Sequence, residues 1–228
     1  MIKIDVGNPT VVARNIYQEG CRLLADGDYP AAIVTFSKAL IIYPRNAIYY
    51  YKRAIAFQES GDLGNAIMDY SSAIKYFPDD VYSYSNRGLL YATIEEYEKA
   101  FNDFKIAIRI DPHEKKTYHY RALTFTHLGE DALALLDYTK AIELDGGDAD
   151  IFYNRGLLYS DMGEHENAID DFSKTIEVNN GDTDAYLRRA ELYKKVGQQK
   201  QARADFDTAK GLMANKKTQP DLLEQLPS

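Results

Sequence analysis

YSNRGLLYATIEEYEKAFNDFKIAIRIDP, residues 84–112, returns as FYNRGLLYSDMGEHENAIDDFSKTIEV at residues 152–178. The displacement is 68 residues, twice 34, and a fixed period of that size is the mark of a repeat architecture. Cutting the chain every 34 residues from Ala13 gives six blocks without an insertion: 13–46, 47–80, 81–114, 115–148, 149–182 and 183–216. Residues 1–12 form an N-terminal extension and residues 217–228 a C-terminal tail. Position 8 of the block is always small (Gly20, Ala54, Gly88, Ala122, Gly156, Ala190), and position 20 is always alanine. Position 24 is always aromatic: Phe36, Tyr70, Phe104, Tyr138, Phe172, Phe206.

Positions 4, 8 and 11 follow the i, i+4, i+7 spacing of one helix face, as do positions 20, 24 and 27, so each block predicts two amphipathic helices. Gly27, Gly61, Gly129, Gly163 and Gly197 mark the turn between them. Pro44, Pro78 and Pro112, then Gly146-Gly147 and Asn180-Gly181, end the second helix. Small residues at positions 8 and 20 let the two backbones approach, and one hairpin cannot cover its own apolar face, so neighbouring hairpins stack.

This pattern closely resembles the tetratricopeptide repeat family over about nine tenths of the chain. The resemblance implies an all-α fold, an α-α superhelix or solenoid of six helix-turn-helix hairpins with short terminal extensions. It implies further that the first helix of each pair lines a concave groove for an extended peptide or a partner helix. The last three copies depart from the family pattern by lacking the terminal proline, and the fifth carries Thr175 where alanine is usual.

Positions 21 and 28, on the face that the next repeat should cover, read Ile33/Leu40, Ile67/Ile74, Phe101/Ile108, Leu135/Ile142 and Ile169/Ile176, then turn to Arg203/Lys210. Glu19 and Arg22 bring charge to the first repeat, where position 10 of later repeats holds Ala56, Leu90, Thr124, Leu158 or Leu192. Polar outer faces are what terminal repeats require, so an array finished at six is expected. Asn8-Pro9 reads as an N-cap with proline at the first helical position, starting the first helix early. Pro220 to Leu226 reads equally as a short capping helix or a frayed end.

Position 7 is arginine in repeats two to six (Arg53, Arg87, Arg121, Arg155, Arg189), and position 23 is aspartate in the same repeats (Asp69, Asp103, Asp137, Asp171, Asp205). The first repeat has neither, offering Glu19 and Thr35. Coincidence within a block predicts an Arg–Asp pair joining the two helices of one hairpin, not adjacent hairpins.

Composition narrows the function classes. The net charge is -8 and the pI near 5.1, which disfavours nucleic acid and anionic membrane as general partners. Cys21 is the only cysteine, so an intramolecular disulfide framework and a cysteine zinc site are excluded, and a cytoplasmic protein is expected. His119 and His127 share a predicted helix without placed carboxylates, and Asp145 to Asp150 lacks the spacing of a calcium loop, so neither metal nor other cofactor is expected. No phosphate loop, dinucleotide fingerprint or nucleophile elbow occurs, and no catalytic residue is assigned.

On the family resemblance, positions 2, 5, 6, 9, 12 and 13 face the groove. Its first half offers Arg14, Tyr17, Tyr51, Lys52, Ile55, Tyr82, Asn86 and Leu89. The second offers Lys116, His119, Tyr120, Leu123, Tyr153, Asn154, Leu157, Leu187 and Arg188. Tyrosines and amides among a few cations suit a peptide. Glu59, Asp150, Asp161, Asp184 and Glu191 share the surface and deny it a single sign. The carboxylate clamp of co-chaperones is matched at two positions in five, by Asn86 and Lys116 or by Asn154 and Arg188, and is not expected. The chain therefore reads as a non-enzymatic adaptor or scaffold for a peptide or protein partner, a monomer before a homo-oligomer. Two alternatives stand beside it: a self-assembling structural protein using Ile2-Ile4-Val6 or the tail leucines, and a substrate-binding subunit or co-chaperone of a larger complex.

Overall fold

The computed structural model describes residues 9–218, with side chains through residue 214. Ile2, Ile4, Val6, Asn8 and the tail from Pro220 to Leu226 lie outside the described residues. Among those described are twelve helices and no strand: α1 (Pro9–Ala25), α2 (Tyr29–Ile42), α3 (Ala47–Glu59), α4 (Leu63–Tyr76), α5 (Val81–Thr93), α6 (Tyr97–Ile110), α7 (Lys115–His127), α8 (Asp131–Leu144), α9 (Ala149–Asp161), α10 (His165–Val178), α11 (Thr183–Lys195) and α12 (Gln199–Thr218). The described fold is all-α, a series of helical hairpins. Odd-numbered helices are the first members of the hairpins and even-numbered helices the second. The chain divides into two compact units after Arg121, inside α7. The first holds α1 to α6 and the start of α7; the second holds the rest of α7 and α8 to α12.

Tight turns join the two helices of each pair. Gly27, Gly61, Gly129, Gly163 and Gly197 have φ between 73° and 84°, the left-handed region that closes a helix without a Cβ penalty. The third turn has Glu95 in that place, at φ 62°, a conformation an L side chain adopts at a cost. Asp28, Asn46, Asp62, Asp148 and Asp182 cap the following helices by accepting backbone N–H bonds.

Helix pairs close on an aromatic ring. Phe36, Phe104 and Phe172 are fully buried, and a Cβ on the facing Gly20, Gly88 or Gly156 would lie 2.6, 2.8 or 3.3 Å from the ring. Hairpins two and four have Ala54 and Ala122 instead, and their rings are the tyrosines Tyr70 and Tyr138. Each buried phenol has a partner: Tyr70 donates to Gln58 Oε1 at 3.0 Å, and Thr126 donates to the Tyr138 oxygen at 3.5 Å. Gln58 and Thr126 both stand at position 12 of their blocks. Thr175 is also fully buried, and its hydroxyl donates to the Asp171 carbonyl at 3.1 Å, which makes the departure from alanine tolerable.

Arg53, Arg87, Arg155 and Arg189 each grip the aspartate of their own hairpin with two N–H groups, Nε and Nη2, at 2.6–2.9 Å. The aspartates are buried, and this forked geometry is the strong form of the contact. The fifth couple, Arg121 and Asp137, is divided between the two units. In these four repeats the Arg–Asp pair joins the two helices of one hairpin, as expected, and the arginine has a further bond that the sequence reading did not foresee. The remaining Nη1 donates back to a hydroxyl of the preceding hairpin: Ser37, Ser71, Thr139 and Ser173, at 2.8–3.1 Å. Ser37, Ser71 and Ser173 spend their own proton on a carbonyl one turn earlier, which leaves a lone pair for the arginine. Rings of the same first helix flank the guanidinium, as Tyr84 and Tyr91 flank Arg87 at 5.6 and 5.7 Å. In the first repeat, Arg22 instead bridges the exposed Glu19 and Asp26 along α1, both at 2.7 Å.

Two outcomes follow from this packing. Arg87→Ala strands the buried Asp103 carboxylate and should cost about 3 kcal/mol, read as a drop in urea-unfolding free energy. An equal loss in Asp103→Ala/Arg87→Ala, which has no stranded charge, would contradict that account. Glu95→Gly relieves the left-handed backbone and should raise stability by about 1 kcal/mol in the same assay, whereas a decrease would show that the turn is not strained.

Candidate peptide-binding groove

In repeats two to six the first helices bury positions 3, 8 and 10, and the face between these buried flanks is free for other work. Within the first unit this face brings α1, α3, α5 and the start of α7 into play. None of the groove residues read from the sequence is buried there: Arg14, Tyr82 and Lys116 are exposed, and Tyr17, Tyr51, Lys52, Ile55, Asn86, Leu89, His119 and Tyr120 are half-buried. The rings of Tyr17 and Tyr51 pack tilted or stacked on rings below them. Tyr51 leans on Tyr70 with centroids 5.9 Å apart, and Tyr17 lies between Phe36 and Tyr49, at 6.2 and 5.4 Å. Asn86 Nδ2 donates to the Tyr51 hydroxyl at 3.5 Å, tying α5 to α3 across the groove floor. Lys52 Nζ rests 5.8 Å from the centre of the Tyr51 ring.

Burial pushes the Tyr51 phenol up to about 12, and burial followed by the neighbouring Cys21 does the same for Tyr17. The charge of Glu114 is the main cause that raises Tyr82. These phenols are therefore neutral near pH 7, each with a proton to donate.

In the second unit the face is carried by the end of α7, α9 and α11. Leu123, Tyr153, Asn154, Leu157 and Leu187 are half-buried and Arg188 is exposed. Tyr153 stands edge-on to Phe172 at 5.5 Å, and its hydroxyl donates to Asp184 on α11. Arg188 Nε lies 3.6 Å from the same carboxylate, so Tyr153, Asp184 and Arg188 form a chain. Burial, then Asp184, raises the Tyr153 phenol. Asp150, Asp161 and Glu191 are exposed on these two helices.

Two features escaped the sequence reading. Ile48, on α3, is 56 % exposed at the block position that also holds Arg14, Tyr82 and Lys116, an apolar contact visible by reading that column in full. Ser85, at the position where Tyr17, Tyr51 and Tyr153 stand, is buried and bonded at 2.7 Å to Thr117 of α7, so the aromatic row is interrupted in the third hairpin. Nothing in the spacing announces that hydroxyl pair. Among the described residues no group of three or more histidine, cysteine or acidic side chains is placed to hold a metal ion, and no helix is long and apolar enough to cross a membrane.

Family models of the tetratricopeptide repeat match residues 17–71, 51–115, 149–182 and 183–213. Among curated proteins none aligns significantly with this sequence. Several solved structures share the fold. MamA is 26% identical with a TM-score of 0.64, the match covering 73% of this chain and 97% of that one. TTC0263, a thermophilic TPR protein of Thermus thermophilus, is 24% identical with a TM-score of 0.69, covering 79% and 98%. PilF of Pseudomonas aeruginosa is 20% identical with a TM-score of 0.74, covering 95% and 96%.

Proposed function

The chain belongs to the tetratricopeptide repeat family, and on that premise we propose that it is a non-enzymatic adaptor that holds a peptide or protein partner against the inner faces of its first helices. The observation that carries this reading is the division of labour between faces. The second helices bury their aromatic rings completely in most repeats, whereas the first helices keep Tyr17, Tyr51, Tyr82, Tyr120 and Tyr153 partly open. Tyrosine supplies rigid apolar area and one directed hydrogen bond with little rotamer entropy to lose. Asn86 and Asn154 add amides that pair with the backbone of an extended peptide. The apolar contribution comes from Ile48, Ile55, Leu89, Leu157 and Leu187.

The test compares the wild-type chain with a Tyr51→Ala/Asn86→Ala/Tyr120→Ala variant as bait in affinity capture. The wild type should retain a partner that the variant loses by about tenfold or more. Helical circular dichroism at low temperature checks that the variant is folded, and Tyr120→Phe alone should give an intermediate loss if the phenol itself bonds. The same catch on both baits would reject the groove.

A further inference from the structure

The second helices have an outer face, opposite the buried positions 20, 24 and 27, and in the first unit it is of an unusual kind. Positions 22, 25, 26 and 29 of α2, α4 and α6 carry Lys38, Lys75, Lys105 and Arg109 and not one carboxylate, in a chain whose net charge is -8. Among the described residues none of these four cations has an acidic group within 4.0 Å. Interleaved with them on the same face are large apolar side chains open to solvent: Val34 at 54 %, Ile41 at 81 % and Met68 at 67 % exposure.

The second unit supplies the control. At the corresponding positions, 26 and 29, it has Lys140 with Glu143 and Lys174 with Glu177, paired along the helix at 3.5 and 2.7 Å. Leu136, at 67 % exposure, matches Met68 on that face, so the first unit departs from it in charge, by placing Ile41, Lys75 and Arg109 where the glutamates stand. Helix-end electrostatics account for Lys75 and Arg109, each in the last turn of its helix. They do not account for Lys38 and Lys105, nor for Ile41 and Met68. Where Ile106 and Arg109 reach the end of α6, a cleft opens, completed by Pro78, Asp79, Tyr84 and Ile110, with the one carboxylate on its rim.

We propose that the outer face of α2, α4 and α6 is a second docking surface, whose occupant is an acidic amphipathic helix of a partner protein. Its carboxylates meet Lys38, Lys75, Lys105 and Arg109, its apolar stripe covers Val34, Ile41 and Met68, and one bulky side chain enters the cleft beside Ile106. Charge complementarity selects the acidic segment. The cleft favours a protein over a lipid surface, because a side-chain anchor is what a protein partner presents to it. This surface is independent of the groove formed by the first helices.

The experiment uses the whole chain and a labelled synthetic helix of about five turns with glutamates on one face and leucines on the other, followed by fluorescence anisotropy. The acidic helix should bind, its lysine counterpart should not, and binding should weaken as NaCl rises from about 0.05 to about 0.5 M. Lys38→Glu/Lys75→Glu/Arg109→Glu should weaken it by about tenfold or more, and the neutral Lys75→Gln/Arg109→Gln should fall between. Ile41→Ser/Met68→Ser should weaken it at both salt concentrations, and the alanine variant of Tyr51, Asn86 and Tyr120 should leave it unchanged. Equal binding by the charge-reversed variant would overturn the proposal. So would binding of phosphatidylserine vesicles without the acidic peptide, which would make this a membrane surface, or binding of neither.

Discussion

Each hairpin closes at the place where a glycine or alanine of its first helix meets an aromatic ring of its second, and that contact sets the separation of the two backbones. A methyl group on Gly20 would sit 2.6 Å from the Phe36 ring, so the small residue is a geometric requirement. With the separation set, an arginine one residue earlier on the first helix reaches the aspartate one residue earlier on the second. Its forked bond at Arg53, Arg87, Arg155 and Arg189 then holds the hairpin in register. The remaining N–H of the same guanidinium reaches back to a serine or threonine of the preceding hairpin, so one side chain fastens both the pair and the stack. A charge this enclosed is a poor source of net stability but a demanding source of specificity, because any slip in register leaves it unpaired.

That architecture spends the buried faces on structure and leaves others for recognition. The inner face of the first helices holds half-open tyrosines and amides, positioned by rings below them as Tyr51 is by Tyr70 and Tyr153 by Phe172. The outer face of the second helices needs only to be soluble. In the second unit its lysines pair with glutamates one turn apart beside the exposed Leu136, while in the first unit the exposed aliphatic side chains stand among cations lacking carboxylate partners. A repeat protein varies one face without disturbing another because each repeat touches chiefly its neighbours.

Much of this was legible in the order of residues. The period, the turn glycines, the small and aromatic positions and the Arg–Asp coincidence all appear in the sequence because a stacked repeat must solve the same packing problem six times. The groove residues were named by block position, and the structure finds none of them buried. What went unread involves partners outside the block's own pattern. The Ser37, Ser71, Thr139 and Ser173 acceptors belong to a different hairpin from the arginines they serve, and the Ser85–Thr117 pair joins two repeats through residues at different block positions.

The sequence by itself determined that this protein is a series of helical hairpins and which positions close each hairpin. Periodicity carries that information because burial is periodic in a repeat. Only the tertiary structure decided how the side chains are shared: that one guanidinium serves two hairpins, that Glu95 takes the left-handed turn its sister glycines take, and that cations on α2, α4 and α6 stand without carboxylates while their counterparts on α8 and α10 are paired. Those facts depend on distances between residues of separate helices, and chain order does not encode distance until the helices have packed.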